Sequence, residues 1–443
     1  MPWQNINNSQ TGYFLLSVDE QGKEAASDVN NKGECVSVQV LNTVKYETIT
    51  DLFLWAHGWQ QDPERASSQF DSWIEAFNTC SPDRLRVEAT VPRFRALHVG
   101  FHWPSLAWAN ESLKTVPFGG TEGLSKAIWV EQYAQMLGNA PGVRQAIENL
   151  FNVISINMWM DTLPDDVCRA YLELNEALAL GEEGCDGDGA ADRHTFDPRA
   201  TVNSTSEFDN FAIGGIGDAI LLPLRQLTFW SMKKRAKVVG ENGLYPFIIA
   251  LQRAAPALRI HLMGHSFGCI VASAGIAGPG GNTPLLRSIQ SCVLVQGAMS
   301  IWAFAPTNAY TPNTCGYFHS IIADKKLSGL LVSTFSAFDY AVGRLYPWAA
   351  GVANQIAFDQ PSKKPRYAGI GTWGIQGMAN DKPSPMLEVT TRYTWGNSSS
   401  VYNIDGGKYI RKIDGISGAH SDIGGPEVAH LIWQTAYPEV DNE

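Results

Sequence analysis

The chain has 443 residues, 44% hydrophobic and 17% charged, with a formal net charge of -11, the profile of a globular protein with a sizeable core. That charge disfavours nucleic acid as a partner, because phosphate binding needs clustered Lys and Arg. The short basic run Lys233-Lys234-Arg235 reads as the solvated face of a helix, and no stretch reaches the roughly 18 uninterrupted apolar residues of a membrane-spanning helix.

The amino terminus, MPWQNINNSQ, has neither a positive start nor an apolar run, so no secretory leader is expected. The seven cysteines (35, 80, 168, 185, 269, 292, 315) are scattered and odd in number, without a CxxC pair or a Cys/His cluster at zinc spacing. A reducing cytoplasm is the expected compartment, with leaderless export left open, and no metal is expected.

In chain order, Tyr13–Val18 and the alternating Cys35–Leu41 read as short strands. Leu52–Ala56 and Leu97–Phe101 are apolar runs of the kind a parallel sheet buries on both faces. Further strand candidates are Leu258–Met263, Cys292–Val295, Leu330–Thr334 and, last, Tyr409–Ile413. Helical patterns lie between them at Ser67–Asn78, Thr228–Val239, Pro246–Ala254 and Cys269–Ala277. This alternation predicts an α/β fold with a mostly parallel central sheet flanked by helices.

The rhythm breaks between about Pro104 and Arg225, where helix-like pieces (Ala127–Leu137, Val143–Ile154, Pro164–Gly181) replace strands. The expected organisation is therefore a first core part over residues 1–103, an inserted helical cap or lid over 104–226, and a second core part over 227–443. The acidic loop 181–189 lacks the flanking pattern and terminal Glu of a calcium-binding loop and reads as solvated.

Gly264-His265-Ser266-Phe267-Gly268 falls between a predicted strand and a predicted helix. A serine there sits on a tight turn that only small neighbours permit, its hydroxyl presented above the carboxyl edge of the sheet. Ser266 is therefore the candidate nucleophile. The Phe267 N–H, at the positive end of the following helix, is a candidate oxyanion donor.

A serine needs a base and an orienting acid. Of the histidines after the elbow, His420 lies in the Gly-rich loop Gly415–Gly425 behind the last predicted strand. His430 lies in an apolar helix and reads as a packed, hydrogen-bonded residue, and His319 has no matching strand. For the acid, Asp339 follows the strand Leu330–Thr334, whereas Asp324 precedes it; Asp359 and Asp381 lie in irregular segments. Asp422 is too near His420 in sequence and suits a hydrogen bond to its own loop. The loop after Leu52–Ala56 offers a second oxyanion donor, the Trp59 N–H or that of Gly58, with His57 pinning the loop.

With these residues placed, the chain resembles the α/β-hydrolase superfamily, particularly its lipase and esterase branch with a GHSxG elbow. The likeness rests on Ala56-His57-Gly58-Trp59, on Gly264–Gly268, on Asp339 and on His420, and covers roughly residues 12–103 and 227–430. Gly418–Gly425, GAHSDIGG, is also similar to the His loop of bacterial lipase effectors delivered by contact-dependent secretion. The resemblance implies an eight-stranded, mostly parallel sheet, acyl-enzyme chemistry and no cofactor. The expected activity is hydrolysis of a small-molecule or lipid carboxylic ester, by an esterase or lipase, on a Ser266-His420-Asp339 triad. The inserted block carries no substrate-class signature. Its apolar stretches Ile154–Met160 and Ala219–Leu224 suit either transient lipid contact or packing onto the sheet. An amidase or peptidase on the same triad, and a non-catalytic binding protein of this fold, are the alternative readings.

Overall fold

The computed structural model describes residues 3–6, 11–25, 33–59, 63–105, 122–156, 163–180, 193–203, 221–307, 310, 312–350, 367–378, 383–396 and 400–439. Its centre is a nine-stranded sheet: β1 Trp3–Asn5, β2 Gly12–Ser17, β3 Asp51–Ala56, β4 Ala96–His102, β5 Arg259–His265, β6 Ser291–Val295, β7 Leu331–Phe335, β8 Pro383–Pro385 and β9 Val401–Asp405. The order across the sheet is β1-β2-β4-β3-β5-β6-β7-β9-β8. Only the β1–β2 pair is antiparallel; the other neighbours are parallel. The protein is thus of the α/β class, with nine strands rather than eight. The two-proline β8 occupies an edge, where a strand can dispense with backbone donors.

Side chains alternate between the two faces of the central strands. Leu52, Leu54 and Ala56 of β3 join a core with the helices Val36–Tyr46, Leu222–Val239 and Gly268–Ala277. Phe53 and Trp55 join a second core beneath the helices Pro63–Thr79 and Pro426–Ala436. Burial of β3 on both faces explains its unbroken apolar run.

Three local expectations are corrected. Cys35–Leu41 is no strand but the start of the helix Val36–Tyr46; its buried residues are Val36, Val40 and Val44, a spacing of four that outweighs the period-two look of the segment. Tyr409–Ile413 is no strand either. It lies in the loop after the true last strand Val401–Asp405, and the Tyr409 and Ile410 N–H groups turn back onto the Gly406 carbonyl. The basic run is no solvated face: Lys233 and Arg235 are buried. Lys233 Nζ donates to the Tyr346 hydroxyl and lies over the Trp230 ring. The Arg235 guanidinium donates to the Pro104 and Met136 carbonyls and pairs with Glu20.

Among the described residues no strand interrupts the segment between β4 and β5. It holds the helices Glu122–Leu137, Pro141–Ile156, Asp165–Leu178 and Pro198–Asn203. The boundary expected at 226 falls inside the continuous helix Leu222–Val239. The acidic loop 181–189, residues 157–160 of one apolar stretch and residues 219–220 of the other lie outside the described residues. No helix among the described residues is long and apolar enough to cross a membrane.

Candidate active site

The elbow is a backbone feature before it is a chemical one. Ser266 has φ 55°, the left-handed region that L-residues enter only when their surroundings enforce it. The surroundings here are backbone hydrogen bonds: the Ser266 N–H donates to the Val295 carbonyl, and the Ser266 carbonyl accepts from Cys269 and Ala298. The flanking glycines are required by space. A Cβ on Gly264 would lie 2.5 Å from the Gly268 carbonyl oxygen, and one on Gly268 would lie 2.2 Å from that of Ala56. Phe267 caps the helix Gly268–Ala277, so its N–H belongs to a helix start, where backbone donors have no intrahelical acceptor.

The loops after β7 and β9 bring the acid and base together. His420 Nδ1 lies 2.9 Å from Asp339 Oδ2, with Asp339 fully buried and the His420 side chain 12% exposed. Two strands, β8 and β9, follow β7 in the chain, so Asp339 does not sit behind the penultimate strand as expected; β9 instead lies beside β7 in the sheet. The two loops also hold each other directly, through the Ala419 N–H on the Phe338 carbonyl at 2.7 Å. Because Nδ1–H donates to the carboxylate, Nε2 carries the lone pair a base requires. The Ser266 hydroxyl is not hydrogen-bonded to His420 in this state. Such bonds commonly tighten only around substrate.

Two further side chains, not singled out by any sequence motif for this role, hold Asp339 and His420 in place. Gln296, fully buried just beyond β6, donates from Nε2 to Asp339 Oδ2 at 2.9 Å and to the Gly371 carbonyl at 3.0 Å. Its own backbone is left-handed, φ 48°, and its Oε1 accepts from the Thr334 hydroxyl. With the Val342 N–H on Oδ1, the Asp339 carboxylate is held by three hydrogen bonds while shielded from water. The one available signal was a Gln-Gly pair directly after an apolar strand. The second residue is His265 of the elbow itself. Its Nε2–H donates to the His420 carbonyl at 2.9 Å, its ring lies 4.8 Å from that of His420, and burial beside that imidazole pushes its pKa well down.

The loop after β3 closes over the elbow. A Cβ on Gly58 would approach Ser266 Cβ to 2.8 Å, so Gly58 packs directly on the candidate nucleophile. His57 pins this loop: Nδ1–H donates to the Gly58 carbonyl at 2.8 Å, and Nε2 accepts from the Trp103 N–H at 3.2 Å. Complete burial holds its imidazole neutral, well below the ordinary histidine pKa. Because the peptide is trans, turning the Gly58 carbonyl toward His57 turns the Trp59 N–H the opposite way. The Trp59 ring packs 5.7 Å from Phe267 and 5.8 Å from Phe229.

The competing residues lie elsewhere. His319 donates to the Phe304 carbonyl, and buried His430 contacts Asp83 and the Thr391 carbonyl. Asp422 Oδ2 accepts from the Arg411 and Lys412 N–H groups of its own loop. Asp324 ends a short helix before β7, while Asp359 and Asp381 lie outside the described residues. Set beside protein families, curated proteins and solved structures, the chain matches none of them.

Proposed function

We propose that the protein is a serine hydrolase of the α/β-hydrolase type that cleaves carboxylic esters through an acyl-enzyme. The observation carrying this reading is the Asp339–His420 pair, held through His265 to the strand-to-helix turn on which Ser266 is left-handed. A structural turn has no need of an imidazole held by a fully hydrogen-bonded carboxylate at its side. In the proposed reaction His420 Nε2 takes the Ser266 proton as the hydroxyl oxygen attacks the ester carbonyl, and Asp339 stabilises the imidazolium. The Phe267 and Trp59 N–H groups bind the oxyanion. His420 then protonates the departing alcohol, and water, deprotonated by the same imidazole, releases the acid and regenerates Ser266.

The test is active-site labelling with a fluorophosphonate, together with hydrolysis of p-nitrophenyl esters of graded chain length and their anilide counterparts. Wild type is expected to label and to turn over esters, and Ser266→Ala to do neither. Equal labelling of wild type and variant, or ester hydrolysis that survives in Ser266→Ala, overturns the proposal. Faster anilide than ester cleavage would move the assignment to an amidase.

A further inference from the structure

Outside the candidate active site, a cluster of side chains of another chemistry converges within the helical layer that covers Phe53 and Trp55. Cys80 and Asp83 lie at the start of the helix Ser81–Thr90, and His430 in the helix Pro426–Ala436. One ligand atom from each, the Cys80 sulfur, an Asp83 oxygen and a His430 nitrogen, falls within 4.8 Å of the other two, and all three residues are buried. Cys80 Sγ lies 3.2 Å and His430 Nδ1 2.5 Å from the same oxygen, Asp83 Oδ2.

The outward side of two of these groups is already fixed. His430 Nε2–H donates to the Thr391 carbonyl at 2.9 Å, leaving Nδ1 to face the cluster. Asp83 Oδ1 accepts from Gln434 Nε2 at 2.5 Å and has Arg86 at 3.8 Å, leaving Oδ2 to face it. A ring N–H held by a carbonyl and a carboxylate held by an amide are the outer contacts that orient metal ligands. We propose that Cys80, Asp83 and His430 form a structural zinc site that ties the helix Ser81–Thr90 to the helix Pro426–Ala436.

Thiolate, imidazole and carboxylate together suit zinc, whereas magnesium and calcium take oxygen ligands. At zinc bond lengths of about 2.0–2.3 Å the three atoms need only small side-chain opening to share one ion. Zinc binding to the thiol would release the Cys80 Sγ proton to solvent. The ligands come from distant segments, Asp83 and His430 being 347 residues apart, so no spacing motif announces them.

The test uses the full-length protein, stripped with a chelator and then loaded with zinc or cobalt(II), with metal content measured after gel filtration. About one ion per chain is expected. Cobalt should produce a thiolate charge-transfer band, and the melting temperature should rise on zinc loading. Cys80→Ala is expected to lose the band, and Gln434→Leu to weaken zinc binding about 10–100-fold. Ser266→Ala should change nothing, which separates this outcome from that of the hydrolase reading. A wild-type protein that retains no zinc or cobalt overturns the proposal, even if the variants fail to fold. A charge-transfer band that persists in Cys80→Ala does the same.

Discussion

Replacing Gly58 by Ala tests the candidate site at its tightest point. The new Cβ would lie 2.8 Å from Ser266 Cβ and 3.1 Å from His265 Nδ1. Carbon atoms in good contact lie about 3.5–4.0 Å apart, so roughly 1 Å must be found. Ser266 cannot supply it cheaply, because its carbonyl and N–H are held by Cys269, Ala298 and Val295. The loop is braced as well, by His57 on the Gly58 carbonyl and by Trp103 on His57. Donors must hold a position about 2.7–3.1 Å from the oxyanion, and a 1 Å displacement costs about 10²-fold in rate. Gly58→Ala should therefore lower kcat/KM for a p-nitrophenyl ester about 10²-fold, with a stability loss of about 1–3 kcal/mol from overpacking. Gly142→Ala, in a helix where an added Cβ meets nothing within 4 Å, is the control and should leave kcat/KM unchanged. A folded Gly58→Ala enzyme within threefold of wild type would refute the placement of this loop over Ser266.

Gln296→Leu keeps the volume but withdraws a hydrogen bond to the Asp339 carboxylate. At about 1.5–3 kcal/mol for such a bond, kcat should fall about 10–100-fold with KM little changed; steady-state kinetics decide, and an unchanged kcat sinks the positioning role. Arg235→Ala removes the buried donor on the Pro104 and Met136 carbonyls. A loss of about 2–4 kcal/mol is expected in urea unfolding, and a neutral result would show that the contact does not hold the inserted helices. Burial also holds His57, His98, His261 and His265 neutral, with His98 pushed down to about 3. The unfolded chain binds these protons near pH 6.5 and the folded one does not, so stability is complete above that pH and falls as the pH drops toward 3. His98 alone accounts for about 1.4 kcal/mol per pH unit across this window. The melting temperature should decline steeply below pH 6.5 and less steeply in His98→Asn; a flat profile contradicts the assignment.

How far the sequence could be read depended on the range of the interactions. The elbow was legible because its requirements are local: a strand, small neighbours, a serine and a helix, all in a dozen residues. The Asp339 and His420 loops could be ranked by their position relative to strands, although the strand assumed to precede His420 was the wrong one. Val401–Asp405 is only five residues long and mixes Asn and Asp with apolar residues. Its strand character comes from pairing with β7 and β8, which no window along the chain contains. Gln296 and the buried Lys233 and Arg235 were hidden for a related reason. Each long polar side chain is satisfied by groups scores of residues away, so its composition reads as surface while its contacts make it interior.

The helix Leu222–Val239 bears on how such a protein could change its substrate. Phe229, on that helix, packs 5.0 Å from Phe267 and 5.8 Å from Trp59, the two residues whose backbone N–H groups are the proposed oxyanion donors. The same helix carries Arg235, which grips the end of the inserted helix Glu122–Leu137. The insertion is therefore not an interchangeable module resting on a finished catalytic core. A chimera cut at residue 226 would sever the element that supports both donors. If the proposed hydrolase reading holds, substitutions at Phe229 on that helix should be felt in the reaction rate through the Phe267 and Trp59 rings it packs against.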